Sequence, residues 1–329
     1  MKNTQDKLSA EVFQAAAYIK EIGRGKEGAR NLSRADAYQL YTAMLDGRVS
    51  DLEMGAILIA MRIKGETIEE IAGFLEAAEN RLHNLQTPNT SQFAPIVIPS
   101  YNGARKRPNL TPLLALLLAR EGVPVLVHGL EHDVGRVTSA AIFSAIGIEP
   151  SFDVAHAEHQ LNRMRLAFMP LQALSPKMHR ILMMRKVLGL RNSTHTLVKI
   201  LQPFEQAAVR LTSYTHPEYQ LMLDNYFRQL APHHRGIALM MRGTEGETVA
   251  STGRSQRIDK YYMGECETLE ETNSQLLSEP ESLPPDITAD ATATWIQNVL
   301  AGKHAIPVNI ERQVWHCVQL AKELKINSA

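Results

Sequence analysis

The stretch that decides the fold lies in the first quarter of the chain and reads Ile57-Leu-Ile-Ala-Met-Arg-Ile-Lys-Gly-Glu-Thr-Ile-Glu-Glu-Ile-Ala-Gly73. Its first half continues a helix predicted over residues 52–64, in which apolar side chains recur at helical spacing. Gly65 stands where that helix must stop. Thr67 and Glu70 then place a hydroxyl at an N-cap and a carboxylate three residues later, which gives the unpaired amide hydrogens of a helix start their acceptors. The stretch therefore predicts two helices in close succession.

Two similar helix starts precede this stretch. Ser33 is followed three residues later by Asp36, and Ser50 by Glu53. Each pair has the spacing of a helix N-cap and its third-position carboxylate. Residues 1–85 are therefore predicted to form a helical domain.

The pattern changes after a predicted hinge at residues 86–94, which contains Pro88 and several polar residues. Residues 95–329 are predicted to form an α/β domain around a largely parallel sheet, because strand-like and helical segments alternate there. The predicted strands are residues 95–99, 123–128, 167–169, 207–211 and 236–241, with a helix over 111–121 and another that begins at Ser175-Pro176.

Charge is distributed unevenly along the chain, although 35 Lys and Arg balance 35 Asp and Glu. Residues 160–204 contain no acid and residues 261–290 contain no Lys or Arg. The acidic segment also contains three prolines and is predicted to be a surface loop. Such asymmetry is informative where a neutral net charge is not. The cations of the acid-free stretch are Arg163, Arg165, Lys177, Arg180, Arg185, Lys186, Arg191 and Lys199.

Targeting and redox signals are weak. Residues 1–7 are polar and carry no apolar core of a secretory signal. The longest apolar stretch, residues 110–119, is about half the length that a bilayer requires. Cys266 and Cys317 have neither a metal-binding nor a disulfide spacing. We therefore expect a soluble cytoplasmic protein without a membrane partner.

The opening stretch resembles the helical domain of anthranilate phosphoribosyltransferases and pyrimidine nucleoside phosphorylases. The resemblance continues in order along nearly the whole chain, through His128-Gly129, Ala145-Ile-Gly147, Leu188-Gly-Leu-Arg191, His216-Pro217 and Gly243-Thr-Glu-Gly246. It implies a small helical domain, which also takes in a helix pair near residues 176–197, and a larger α/β domain. It also implies a cleft between the domains and a homodimer formed through the helical domains.

The phosphate-binding motifs of that family are changed in this chain. The enzymes have a Gly-Thr-Gly-Gly-Asp loop, whose glycines let the backbone approach pyrophosphate closely. Here the loop is Ser100-Tyr-Asn-Gly-Ala104, and Gly103 alone is kept. The Asn-Ile-Ser-Thr motif of the enzymes resembles Asn109-Leu-Thr-Pro112, which keeps the Asn and one hydroxyl. Their Lys-His-Gly-Asn becomes Val127-His-Gly-Leu130, so the phosphate-binding lysine is gone.

The metal-binding acids of the enzymes are also replaced. Their Asp-Glu pair holds magnesium ions and falls on Thr248-Val249, which cannot supply carboxylates. Their Thr-Ile-Phe-Asn becomes Asn192-Ser-Thr-His195, and their following Gly-Pro becomes Val198-Lys199. We therefore predict no metal, no cofactor and no catalytic residue.

Two strings are similar to the YbiB-like proteins, a divergent branch of this family regarded as nucleic-acid-binding. They are Ser100-Tyr-Asn-Gly-Ala-Arg-Lys106 and Arg191-Asn-Ser-Thr-His-Thr-Leu197. The resemblance implies a homodimer that binds DNA or RNA.

The predicted contacts with nucleic acid are cations. Arg105, Lys106 and Arg107 follow a predicted strand, where the family binds phosphate, and the acid-free stretch supplies the others. Several phosphate contacts release condensed counterions and give strong, salt-sensitive binding despite a neutral net charge. No motif that reads base edges is present, so sequence-independent binding is predicted. The predicted set is Arg105, Lys106, Arg107, Lys177, Arg180, Arg185, Lys186 and Lys199.

A second set is predicted to line the cleft: Tyr101, Asn102, Gly103, Asn109, Thr111, His128, Asn192 and His195. For Asn192 and His195, ligand contact and simple packing are both open. His128 is expected to be structural, and Arg191 is expected to be a buried structural arginine. The alternative function is phosphoribosyl or related glycosyl transfer with a changed donor, for which His128, Asn109 and Thr111 are the retained polar groups.

Overall fold

The computed structural model describes residues 13–25, 27–87, 91–273 and 283–327. Four helices precede the first strand: α1 (Ala15–Ile22), α2 (Arg34–Leu45), α3 (Asp51–Lys64) and α4 (Ile68–Glu79). The three predicted helix starts are confirmed, because the hydroxyls of Ser33, Ser50 and Thr67 each accept a hydrogen bond from the third backbone amide of their helix. Gly65 ends α3 with a φ of +80°, a left-handed conformation that favours glycine.

Strands and helices alternate in the rest of the chain. The strands are β1 (Ile96–Ser100), β2 (Val125–Gly129), β3 (Leu166–Pro170), β4 (Ala208–Tyr214), β5 (Gly236–Arg242), β6 (Ile258–Tyr262) and β7 (Glu265–Glu270). The helices are α5 (Thr111–Arg120), α6 (Ser139–Ile146), α7 (Val154–Met164), α8 (Leu171–Leu174), α9 (Pro176–Met183), α10 (Arg185–Leu188), α11 (Thr194–Leu197), α12 (Pro217–Gln229), α13 (Ala289–Leu300) and α14 (Val308–Asn327). Among the described residues, no helix combines the length and the apolar character needed to cross a membrane.

The strands form one sheet in the order β3-β2-β1-β4-β5-β6-β7. The five predicted strands are β1 to β5, and they pair in parallel, so the predicted mostly parallel α/β architecture is confirmed. The prediction of a surface loop over residues 261–290 is wrong in its first part, since β6 and β7 extend the sheet as an antiparallel hairpin. Glutamates on β7 keep this edge strand charged, which disfavours pairing with another chain. Residues 274–282 of the acidic segment lie outside the described residues.

The two faces of the sheet bury different cores. Ile96 and Ile98 of β1 pack in a cluster with α5, α6, α13 and α14. Val97, between them, points to the other face and belongs to a cluster that includes Leu40 of α2 and Phe74 of α4. Successive side chains of a strand point to opposite faces of the sheet. One face therefore packs against the helical domain, and the other packs against the helices of the α/β domain.

Residues 176–197 lie against the N-terminal helices. The Tyr41 hydroxyl of α2 is 2.8 Å from the Thr194 hydroxyl of α11, and Arg180 of α9 donates to the Met44 carbonyl over 2.7 Å. Leu85 lies just before the predicted hinge, and its backbone amide donates to the Pro203 carbonyl. Residues 88–90 of the hinge lie outside the described residues.

Candidate functional site

The loop after β1 turns at Gly103. Its φ is +65°, and a Cβ at this position would lie 2.8 Å from the Val137 carbonyl oxygen. Tyr101 and Asn102 are buried before the turn, whereas Arg105 after it is exposed. The turn and the close approach of the neighbouring backbone both require glycine, which explains why this one glycine of the loop is kept.

The backbone amides of this loop are held by two carboxylates of the chain itself. Glu247 accepts hydrogen bonds from the amides of Gly103 (2.7 Å) and Asn102 (3.1 Å). Glu245 accepts from the amides of Arg105 (2.8 Å) and Lys106 (2.9 Å). Burial raises the pKa of Glu247, and the amides that donate to it oppose that rise. The loop that was expected to receive an anion therefore already holds one at each end.

Sequence reasoning missed Glu245 and Glu247. Their signal was present, because Glu245 lies within the string Gly243–Gly246 of the resemblance and Glu247 directly follows it. The two acids flank a glycine directly before Thr248-Val249, the positions where the enzymes have their magnesium-binding acids. Carboxylates are therefore still present here, one and three residues earlier in the chain. Which amides they bind follows only from the close approach of the two loops.

Asn109 fixes the start of α5, and Thr111 links the same helix start to the Glu247 carboxylate. The Asn109 side chain donates to the Ser139 hydroxyl (3.1 Å) and accepts from the Thr111 amide (3.1 Å). The Thr111 hydroxyl donates to Glu247 over 3.4 Å. Both side chains are buried and engaged within the protein.

A pocket opens where the helical domain meets the carboxyl ends of the central strands. Arg62 and Glu66 reach it from the segment around the end of α3, Ser213 from β4 and Tyr219 from α12. Arg62 donates to the Tyr219 hydroxyl over 2.8 Å, which links the two sides. Seven more of its lining residues come from the resemblance strings or the predicted sites: Tyr101, Arg191, Asn192, His195, Thr196, Lys199 and His216.

Lys199 is the most perturbed cation of this pocket. Its ammonium donates to the Ser213 carbonyl (3.0 Å) and lies 5.9 Å from the centre of the Tyr101 ring. Burial lowers its pKa to about 8, and repulsion from Arg191 adds to that shift. The pKa of Lys199 therefore lies close to neutral pH, so both the pH and a bound anion change the fraction of the side chain that is charged.

His195 presents an unpaired nitrogen. Its Nδ1 lies 3.1 Å from the backbone nitrogen of Asn192, and its Nε2 has no partner among the described residues although the side chain is buried. Burial, followed by repulsion from Arg185 and Arg191, lowers the pKa of His195 to about 3. A neutral imidazole therefore faces the pocket.

Five cations are coupled electrostatically in and beside this pocket, and Arg191 and Lys199 line it directly. We call them the cleft cations: Arg105, Arg136, Arg185, Arg191 and Lys199. Burial lowers the pKa of Arg136, with repulsion from Arg191 and Arg105 next in size. Arg136 donates to the Gly103 carbonyl (3.0 Å), and Arg191 donates to the Asn102 side chain (2.9 Å). The prediction that Arg191 is a buried structural arginine was wrong, because its side chain is exposed. The predicted set of cations also missed Arg136, which lies outside the acid-free stretch.

Asp133 is the acid that pairs with the cleft cations. Its carboxylate lies 2.6 Å from Arg185 and 4.0 Å from Arg136. Glu245 and Glu247 also attract members of the cluster, Glu245 acting on Arg136 and Glu247 on Lys199. Three carboxylates therefore act on five cations, which leaves the cluster net positive.

The other predicted cations are distributed over the surface. Lys177 pairs with Asp46 at 2.7 Å, and Arg180 caps the end of α2 through the Met44 carbonyl. Lys106 and Lys186 have exposed side chains on the loop after β1 and on α10. The remaining one, Arg107, is also exposed and borders a separate pocket with Pro108.

His128 lies on β2 and is completely buried. Neither ring nitrogen has a hydrogen-bond partner among the described residues, and burial lowers its pKa to about 4. The next residue, Gly129, has no room for a side chain, since a Cβ would lie 1.8 Å from the Ser100 carbonyl oxygen. His128 is therefore a neutral core side chain in this structure.

Thr248 and Val249 are both buried beside the loop that carries Glu245 and Glu247. Within residues 13–25, 27–87, 91–273 and 283–327, no three His, Cys, Asp or Glu side chains come together to hold a metal ion. A buried hydroxyl and a valine supply no carboxylate at this point.

Known proteins share this architecture. A family model described as the glycosyl transferase family helical bundle domain matches residues 16–81. The crystal structure of anthranilate phosphoribosyltransferase from Thermus thermophilus has a TM-score of 0.70 to this chain at 20% identity, and the match covers 94% of each chain. The enzyme from Saccharomyces cerevisiae, in complex with PRPP and Mg, also has a TM-score of 0.70, at 15% identity over 95% of this chain and 92% of that one.

Similarity in sequence is higher for one relative. The uncharacterized protein YbiB of Escherichia coli K12 is 44% identical over 301 residues, which cover 91% of this chain and 92% of that protein. The anthranilate phosphoribosyltransferase of an Anaeromyxobacter species is 26% identical over 281 residues, or 84% of this chain and 81% of that enzyme. The chain therefore belongs to the family of the Escherichia coli protein YbiB, on the fold of the anthranilate phosphoribosyltransferases.

Proposed function

We propose that this protein binds DNA or RNA through the phosphate backbone, along the cleft and the loop after β1. The observation that carries the proposal is the cluster of five cleft cations, which outnumber the three carboxylates that act on them. Repulsion among these cations is relieved when phosphates enter between them. Each phosphate contact also releases condensed counterions, which gives the binding its affinity and its salt dependence.

The shape of the loop after β1 supports a surface role for its cations. Glu245 fixes the backbone at Arg105 and Lys106, while both side chains stay exposed. Cations on a fixed backbone lose less conformational freedom when a phosphate binds. The loop and the cleft cations share Arg105, so they form one continuous basic surface.

The alternative function, glycosyl or phosphoribosyl transfer, has weaker support. A diphosphate on this loop requires the free amides of Asn102 and Gly103, and Glu247 already occupies both. A second anion beside that buried carboxylate is repelled. The imidazole of His195 is the one feature of the pocket that favours a small ligand over a polymer, because its Nε2 has no partner among the described residues.

We also propose that two copies associate through the helical domain. Leu52 and Ile63 of α3 are 85% and 59% exposed, and they border an apolar groove that Ile19 of α1 completes. In the sequence, Val12, Phe13, Ala16 and Ile19 give the first helix its apolar character, and Val12 lies outside the described residues. Short helices with exposed apolar residues gain stability from a partner that buries them.

The test of nucleic-acid binding is a salt titration with two unrelated oligonucleotides, on nuclease-treated protein. Arg191→Gln with Lys199→Gln removes two cleft cations, and Lys303→Gln with Lys322→Gln removes two exposed cations elsewhere as a matched control. We expect the first pair to weaken binding to both oligonucleotides and to flatten the dependence on salt. Absence of wild-type binding at low salt, or equal effects of the two pairs, contradicts the proposal.

A further inference from the structure

A second pocket lies at the amino ends of the strands, whereas the cleft opens at their carboxyl ends. It lies between α4 of the helical domain and the elements around β4, β5 and α12, and its volume is about 480 Å³. Arg210 is the third residue of β4, and Arg235 comes directly before β5. The cleft, in contrast, contains Ser213 and Tyr214 from the carboxyl end of β4. We call this second site the amino-end pocket.

The charges of the amino-end pocket do not balance. Three arginines line it, together with two glutamates, Glu76 and Glu79. Arg34 pairs with Glu76 at 2.8 Å, and Arg235 pairs with Glu79 at 3.2 Å. Arg210 has no ion pair among the described residues, so one positive charge of the pocket is left over.

Arg210 is the arginine that sits deepest. Its side chain is 2% exposed, and it donates to the Ile200 carbonyl over 3.3 Å. Its Nε has no hydrogen-bond partner among the described residues, and the same holds for the Nε of Arg235. A buried guanidinium without an ion pair of its own is costly, because desolvation penalises the charged form. Glu79 attracts Arg210 from a distance, but its carboxylate is already paired with Arg235. Burial accordingly lowers the pKa of Arg210.

The rest of the lining suits a small organic molecule. Leu75 and Leu230 supply apolar contact, and Tyr226 adds an aromatic ring with a hydroxyl. Tyr226 is also buried, and Arg210 and Glu79 both act on its hydroxyl. An apolar wall with a few convergent polar groups is the usual composition of a ligand site.

We propose that the amino-end pocket binds a small organic anion whose phosphate or carboxylate group pairs with Arg210. Planar guanidinium groups match both oxyanions in geometry, and their hydrogen bonds to an ionised group are stronger than neutral ones. The ligand supplies the missing counter-charge and contacts both the helical domain, at α4, and the α/β domain. This site is independent of the nucleic-acid surface, since the two lie at opposite ends of the strands.

The test measures binding of inorganic phosphate and of succinate to the full chain by isothermal titration calorimetry, up to millimolar concentrations. Each titration is repeated on a Lys199→Met chain, which separates binding in the cleft from binding in the amino-end pocket. Arg210→Met removes the unpaired charge, and Leu230→Trp fills the pocket without changing a charge. Lys303→Met is the matched control, because it removes an exposed cation outside both sites.

We expect one saturable site per chain that persists in Lys199→Met and Lys303→Met. Arg210→Met should weaken it at least about tenfold, the usual effect of losing a charge-assisted hydrogen bond. Leu230→Trp should weaken it to a similar extent, because the indole occupies the space of the ligand. The anion that binds more tightly assigns the site to a phosphate or to a carboxylate. Absence of saturable binding by either anion overturns the proposal, and so does wild-type affinity in Leu230→Trp, which decides the matter if Arg210→Met does not fold.

Discussion

The Glu247 carboxylate accepts a hydrogen bond from the backbone amide of Gly103 over 2.7 Å, in the buried turn that follows β1. Its second amide partner is Asn102, and Glu245 binds the next part of the same loop. Two adjacent loops of the α/β domain are thereby joined through carboxylate–amide contacts. These contacts set the shape of the basic surface, and they occupy the donors that a diphosphate needs.

Replacement of Glu247 by Ala should destabilise the fold by roughly 2–6 kcal/mol, because two buried amides lose their acceptor and each costs about 1–3 kcal/mol. Glu247→Gln is the control, since it keeps an oxygen acceptor in the same place. Denaturant unfolding of both variants and the wild type measures the difference. An Ala variant as stable as the wild type would show that these contacts contribute nothing.

The same glutamate should make stability depend on pH in a defined direction. Burial raises the pKa of Glu247, so its contribution to stability is complete below the unfolded value of about 4.3 and is lost as the pH rises through the folded value. Relative to Glu247→Gln, the wild type should therefore lose stability as the pH increases. The check is a series of unfolding titrations of both chains from acidic to neutral pH, and a constant difference between them contradicts the prediction.

Nucleic-acid affinity should fall as the pH rises through the pKa of Lys199, about 8. Deprotonation removes a cleft cation, so affinity at pH 9 should be up to about tenfold below that at pH 7, and the full factor is reached where bound phosphate keeps Lys199 protonated. Lys199→Arg keeps its charge over this range and should lose much less. Fluorescence anisotropy at constant ionic strength measures both, and equal losses in the two chains would assign the effect to another group.

Replacement of Arg105, Lys106 and Arg107 by Ala should reduce the salt dependence of binding by up to about 0.9 per lost phosphate contact on duplex DNA. The affinity for unrelated sequences should fall alike. Lys177→Ala with Arg180→Ala should have a smaller effect, because Asp46 already pairs with Lys177 and Arg180 caps α2. A larger effect of the second pair would place the main binding surface on α9 instead of the cleft.

Anthranilate phosphoribosyl transfer should be undetectable at ordinary enzymatic rates. Each missing electrostatic contact costs about 3 kcal/mol in the barrier, and several are lost together. Restoration of the acids by Thr248→Asp with Val249→Glu should not recover activity, since Glu247 still fills the loop. Turnover of anthranilate and phosphoribosyl diphosphate by either chain would refute this prediction.

Light scattering at micromolar concentration should show a dimer of the wild type. Leu52→Glu with Ile63→Glu places two charges on the exposed apolar face of α3 and should shift the protein to monomer. Leu221→Glu on α12, also an exposed leucine, is the control and should leave the dimer intact. A monomeric wild type, or a double variant that stays dimeric, excludes this interface.

The local pattern of the sequence was sufficient to predict the N-terminal helices, the five parallel strands and the α/β class of the second domain. The caps at Ser50 and Thr67, the stop at Gly65 and the alternation of the strands depend on neighbours within a few residues, so they can be read without a structure. The same reasoning failed for β6 and β7, because acidic residues on an edge strand look like those of a loop when the pairing partner is unknown.

The site depended on contacts between segments that are far apart in the chain. The sequence alone determined that the loop after β1 keeps one glycine, that the magnesium acids are absent and that residues 160–204 carry only positive charge. Only the tertiary structure decided that Glu247 caps the amide of Gly103 and that Arg136 joins the cleft cations. It also decided that Lys177 is neutralised by Asp46. Charge pairing and burial act over a few ångströms in space, whereas these partners are separated by tens to more than a hundred residues of chain.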